Sequence, residues 1–145
     1  MANVGPKANI LKVSAKLKKS LTSIGNLQTY PARHTLFEVD QDAFGVYLVM
    51  KGKVCLSLPE LPKLDRIFPP GSLLGLPATF TGHSYSLAAT TVTGVEVLLI
   101  SRQPFLDLMS TKPEFCREAA DILCREVTFI QSALAERRRA KPSAA

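Results

Sequence analysis

Three cysteines and two histidines are all that 145 residues offer in the way of soft metal ligands. Cys55, Cys116 and Cys124 make an odd number, and no two of them stand in a C-x-x-C pair. A disulfide framework, a zinc site and an iron–sulfur cluster (about four cysteine ligands) are therefore not expected, and the thiols fit a reducing, cytoplasmic setting. Cys116 and Cys124 fall in a helical pattern, where a thiol serves as a small hydrophobe. The longest uncharged stretches are broken by Gly, Pro, Ser and Thr, so none reads as a membrane span. Met1 to Gly25 alternates apolar residues with lysine, unlike a secretory signal. Catalytic groupings are missing too. There are no paired carboxylates, no Ser–His–acid spacing and no Gly-rich loop leading to a lysine, so no enzyme is expected. Asp40 and Asp42 sit in a turn, where Asp is favoured for backbone reasons.

Acidic residues are absent from the first 33 positions, which carry Lys7, Lys12, Lys16, Lys18, Lys19 and Arg33. Residues 34–135 hold eight basic and eleven acidic groups, and residues 136–145 carry Arg137, Arg138, Arg139 and Lys141 against Glu136. The net +6 therefore resides at the two ends, around a mildly acidic body. Basic ends can meet nucleic acid or an anionic surface, or can simply be solvated. With little aromatic interleaving, sequence-specific nucleic-acid binding is the lesser reading. Apolar content of 46% and charged content of 21% describe an ordinary globular chain, long enough for one domain with a real core.

What is present falls into three parts. Residues 1–9 read as a flexible leader. From Ile10 the apolar residues Ile10, Val13, Leu17, Leu21 and Ile24 recur at three and four, with lysines between, so an amphipathic helix is expected up to Gly25. From Tyr30 the pattern turns to short strands: HTLFEV, VYLVM, KVCLSL and VEVLLI, each bounded by turn residues. Several short strands at near-regular spacing point to a small antiparallel β-barrel or sandwich. SRQPFLDLMSTKP then offers a Ser cap and a short helix stopped before Pro113.

From Glu114 to about Arg139 there is neither Gly nor Pro, and a long helix is expected. Cys116, Ala120, Leu123, Val127, Ile130 and Leu134 form a heptad seam, expected to pair two copies as a homodimer. A second stripe, Phe115, Ala119, Ile122, Phe129 and Ala133, is expected to dock on the barrel. The folded domain is placed at 10–135, the long helix included, and the basic tail at 136–145.

GSLLGLPATFTGHSYSLAAT, residues 71–90, has the outline of a phosphate cradle, yet contains no Asp, Glu, Lys or Arg. The longer stretch PPGSLLGLPATFTGHSYSLAATTVTGVEVLLI (69–100), with LFEVDQDAFGVYLVMKGKVCLSL (36–58) and SRQPFLDLMSTKPEF (101–115), resembles the sensor domain of the catabolite-activator (Crp/Fnr) family. Leu36, Phe37, Ala43, Gly45, Val46, Tyr47, Gly52, Pro70, Gly71, Gly75, Arg102 and Phe105 carry the match. The resemblance implies a mainly β, cyclic-nucleotide-binding-like jelly-roll barrel with an N-terminal helix and a long C-terminal dimerisation helix. It places a candidate ligand cradle at Gly75, Leu76, Pro77, Ala78, Thr79, Tyr85 and Ser86. There the Leu76–Thr79 amides would line the recess, and Tyr85 and Ser86 would offer hydroxyls toward its mouth.

The departures weigh as much as the matches. By the resemblance, a Glu that binds the ribose hydroxyl and an Arg that pairs with the cyclic phosphate belong at Leu76 and Tyr85. An unpaired buried phosphate costs several kcal/mol, so neither cAMP nor cGMP is expected to bind. His83 is a poor replacement for the missing cation. As haem ligands, His34 and His83 are each single histidines, which more often serve structural or surface roles. Because the chain stops after the long helix, no helix-turn-helix is expected, and hence no sequence-specific DNA contact. No cofactor is expected. The implied role is a stand-alone regulatory sensor acting through dimerisation, a protein partner or an unidentified small ligand. The alternatives are a binder of nucleic acid or anionic surfaces through the basic ends, or a regulator fragment that has lost its DNA-binding domain.

Overall fold

The computed structural model describes residues 9–62 and 65–140, with the side chains of Ala133 and of residues 136–140 left out. The sequence-based leader falls almost wholly outside this range, and so do the side chains of the basic tail.

The first helix, α1 (Ala15–Ile24), begins five residues later than the Ile10 periodicity suggests. Ser14 decides where it starts. Its hydroxyl accepts from the Leu17 amide at 3.2 Å, and the Glu118 carboxylate takes both its backbone N–H and its hydroxyl, at 2.6 and 2.7 Å. This is an N-cap fixed from outside the helix. The residues before it run instead against 71–73, with Lys12 bridged to Ser72 and the Leu73 amide donating to the Leu11 carbonyl at 2.9 Å. Leu11, Leu17 and Leu21 are fully buried, while the α1 lysines stay at the surface.

Eight antiparallel strands follow. These are β1 (Asn26–Tyr30), β2 (Thr35–Phe37), β3 (Gly45–Lys51), β4 (Val54–Ser57), β5 (Arg66–Phe68), β6 (Leu73–Leu74), β7 (Ala88–Thr91) and β8 (Val95–Ser101). They form two four-stranded sheets, β1-β8-β3-β6 and β2-β7-β4-β5, in a mainly β jelly-roll arrangement. The two seven-residue strands β3 and β8 lie side by side, with Tyr47 opposite Leu99 and Leu48 opposite Leu98. Nearly all of β3 is buried because helices cover the sheet face that the barrel interior does not. The core runs through Phe37, Leu48, Leu56, Phe68, Leu73, Ile100 and Phe105. Strand β1 begins at Asn26, before the Tyr30 at which the sequence changes character.

Between β6 and β7 lies the short helix α2 (Leu76–Thr81). Helix α3 (Arg102–Thr111) then starts where expected, although the Ser101 hydroxyl makes no capping bond. The long helix α4 (Pro113–Ala140) follows directly, and its 28 residues span about 42 Å. Phe115, Ala119 and Ile122 are buried on the body, and Phe129 packs edge-on against Phe68 at 6.4 Å. That is the docking stripe, while Ala133 lies outside the described side chains. On the opposing seam Cys116, Ala120, Val127 and Leu134 are exposed, and Leu123 and Ile130 are half-buried. Among the described residues, no helix is long and apolar enough to cross a membrane.

Candidate functional site

The cradle is built by a glycine that could be nothing else. Gly75 caps α2 in the left-handed region at φ 85°, and a Cβ there would come within 2.8 Å of the Tyr85 ring. A side chain is thus excluded twice, once by backbone sterics and once by its neighbour. The chain then turns through α2, closed by Gly82 at φ 75°. Above Gly82 lies the Arg102 guanidinium, which donates to the Thr79 carbonyl at 2.7 Å. A cation at the C-terminal end of a short helix satisfies carbonyls that have no partner within the helix. Arg102, one of the residues carrying the family resemblance, therefore acts on the frame of the cradle.

On the other side, the turn at residues 40–42 grips the segment carrying Tyr85. The Asp40 amide donates to the Tyr85 carbonyl and the Tyr85 amide to the Gln41 carbonyl, both at 2.9 Å. Asp40 itself stands at φ 71°, and Asp42 bridges to Ser84. The backbone role expected of these two aspartates is the one they play.

Tyr85 fills the space. It is buried and lies stacked on Phe37 with ring centroids 3.8 Å apart, and its hydroxyl donates to the Gly45 carbonyl at 2.7 Å. Burial pushes its pKa up to about 12, so the phenol stays neutral. The recess that remains has a volume of about 10 Å³, room for one water at most.

Of the residues placed at the cradle from sequence, Gly75, Pro77, Ala78, Tyr85 and Ser86 line this recess together. Leu76 and Thr79 do not; both are buried in the body, and the Thr79 hydroxyl is spent on the Gly75 carbonyl at 2.8 Å. Two further expectations need correction. The Tyr85 hydroxyl faces inward rather than toward a mouth. The row of amides from Leu76 to Thr79 is also incomplete. Pro77 has no N–H, and that of Thr79 donates to the Gly75 carbonyl at 3.2 Å. His83 is exposed, and His34 stacks on Tyr30 at 4.1 Å, away from the lining residues. Among the described residues, no three His, Cys, Asp or Glu side chains converge on a point.

The recess has four walls that the cradle motif does not reveal: Phe37 from β2, Leu56 from β4, Leu87 ahead of β7, and Glu126 from α4. Glu126 is only 4% exposed, and its Oε1 has no hydrogen-bond partner. Desolvation raises its pKa to about 8, with no nearby cation to offset it. The sequence does carry a trace of this residue. The docking stripe steps from Ile122 to Phe129 across a gap of seven, and 126 is the position that completes the 4, 3 rhythm.

Comparison with known proteins agrees with this architecture. The family model for the cyclic nucleotide-binding domain matches residues 27–112. The transcriptional activatory protein AadR of Rhodopseudomonas palustris is 29% identical over 110 residues, covering 70% of this chain and 43% of AadR. The catabolite activator protein of Thermus thermophilus superimposes with a TM-score of 0.69 at 22% identity, over 88% of this chain and 62% of that protein. The c-di-GMP responsive global regulator CLP of Xanthomonas campestris gives 0.68 at 19% identity, over 87% and 64%. The chain thus spans less than two thirds of the length of these regulators.

Proposed function

Because the chain belongs to the cyclic nucleotide-binding domain family, we propose that it is a regulatory sensor domain of the Crp/Fnr type whose cradle is closed to cAMP and cGMP. The observation that carries this reading is Tyr85, which occupies the recess beneath Gly75 and leaves about 10 Å³. A cyclic nucleotide needs a volume tens of times larger, a cation for its phosphate and an acceptor for its ribose. The lining residues supply neither the space nor the cation. The one ionisable group that α4 adds, Glu126, is a carboxyl, which in its charged form would repel a phosphate. The six-residue α2, with Pro77 in its first turn, is a weak substitute for the missing arginine. Description of the structural relative CLP as c-di-GMP responsive supports the view that this fold accommodates different effectors. Titration calorimetry with cAMP and with cGMP is expected to give no saturating heat. A micromolar dissociation constant, about −8 kcal/mol, would overturn the assignment.

The output of such a domain would pass through α4. Val127 and Leu134 are exposed, and Leu123 and Ile130 pack only partly against the core, so one side of the helix stays apolar and open among the described residues. We propose that two copies pair along the seam from Cys116 to Leu134, burying it as a parallel coiled coil would. Sedimentation at tens of micromolar is expected to give a dimer, and Ile130→Glu is expected to give a folded monomer. A wild-type monomer, or a variant that still dimerises, would remove α4 as the interface.

A further inference from the structure

The recess is too small for an organic molecule, yet one wall of it is a titratable side chain carried by the helix that leads out of the domain. Glu126 enters from α4 and meets Phe37, Leu56, Ala78 and Tyr85. Of these only Tyr85 titrates, and its hydroxyl is already committed to Gly45. The remaining lining residues, Gly75, Pro77, Ser86 and Leu87, carry no charge. On α4 itself the adjacent cation, Arg125, is turned to the surface, where it binds Asp121 and the Ile10 carbonyl. From β5, Arg66 lies over the Phe129 ring at 5.8 Å, one turn further along, and donates to the Asp65 carbonyl. Glu126 is almost fully buried, and its Oε1 has no hydrogen-bond partner among the described residues. A neutral carboxylic acid can remain there, but an ionised one must find water.

We propose that the effector read by the cradle is a proton on Glu126: bound, it keeps α4 seated on the barrel; lost, it drives this side chain and the helix turns around it off the cradle. The proposal rests on reading the cradle as the sensor's seat, and it supplies an effector small enough to fit. Deprotonation sends the proton to bulk water and leaves a carboxylate whose hydration requires Glu126 to leave the recess formed with Tyr85 and Ala78. The part of α4 that moves bears Val127 and Ile130, so a local titration is coupled to the seam. Titration into the physiological range follows from the burial that raises this pKa to about 8.

The test uses the full chain. Carboxyl carbon resonances, with Glu126 assigned by triple-resonance correlation to its own backbone in the wild type, are followed between pH 5 and pH 10, alongside amide-exchange protection corrected for intrinsic rates. Glu126 is expected to titrate well above the other glutamates. Protection in α4 from Ile122 onward is expected to fall about tenfold per pH unit from the ordinary glutamate range up to that midpoint, and to level off above it. In Glu126→Gln and in Glu126→Met the same amides should show no such step. A wild-type Glu126 resonance titrating in the ordinary carboxylate range would overturn the proposal even if neither variant folds. So would α4 protection that stays level from pH 5 up to the midpoint. Either result leaves the closed-cradle reading intact, since that reading fails only if a cyclic nucleotide saturates the protein.

Discussion

Between pH 5 and pH 9 the stability of the wild type, measured by urea denaturation, is expected to fall about 4 kcal/mol further than that of Glu126→Gln. The sign follows from where the proton sits. In the unfolded chain this carboxyl loses its proton around 4.5, whereas in the fold burial holds it to about 8. Below the lower value both states are protonated and the group is neutral in the balance. Between the two values the folded state carries one proton more, so each pH unit shifts the equilibrium about tenfold, or about 1.4 kcal/mol, toward the unfolded state. The full loss is reached above the upper value and then levels off. Against a typical domain stability of about 5–15 kcal/mol, this is a large share.

Glutamine removes the titration but keeps a polar atom at the position where Glu126 Oε1 has no partner, a cost of about 1–3 kcal/mol at every pH. The two stability curves should therefore cross, with the wild type more stable near pH 5 and the variant more stable near pH 9. Parallel curves would mean that Glu126 is hydrated in the folded protein. Any slope that the two parallel curves share would then belong to another group.

How far such a residue was legible in the sequence depends on what kind of signal it leaves. Strands β3, β4 and β8 could be seen because each is a local apolar run whose two faces are covered. Strand β1 could not. Its one large aliphatic residue, Leu27, is 59% exposed, and the strand exists because Asn26–Tyr30 pairs with β8 in full register. Strands β6 and β7 likewise depend on their partners, since two leucines or the run AATT have no preference strong enough to announce themselves. At the N-terminus the spacing of Ile10 and Val13 imitates a helix, but the cap at Ser14 is imposed by Glu118, 104 residues away. For the cradle, Gly75 and Tyr85 were legible through the family resemblance, which put them at its glycine and arginine positions; that one makes room for the other shows only in the structure. Glu126 was legible only as the missing beat of an apolar stripe, because patterning counts hydrophobes and a buried acid breaks the count.

Tyr85→Ala is expected to destabilise the domain by about 3–5 kcal/mol, the range for truncating a buried aromatic residue. Tyr85→Phe should cost about 1–3 kcal/mol by leaving the Gly45 carbonyl without this donor. The contrast between the two variants separates the ring from the hydroxyl. The ring is the larger contribution, because it covers Gly75, stacks on Phe37 and closes the recess under Ala78. Stacking alone contributes about 0.5–1.5 kcal/mol beyond burial. Denaturant unfolding of both variants at pH 6 reads these values while Glu126 is still protonated, which keeps the two effects apart. Near-equal losses would show that the hydroxyl bond, rather than cavity filling, keeps this side chain in place. A loss below about 1 kcal/mol in Tyr85→Ala would mean that the recess collapses around the deletion without cost. An arginine reaching for a phosphate in this place would have to face inward, across the space the ring now occupies. On the closed-cradle reading proposed above, the side chain that fills the cradle is also the one that would keep an anion out of it.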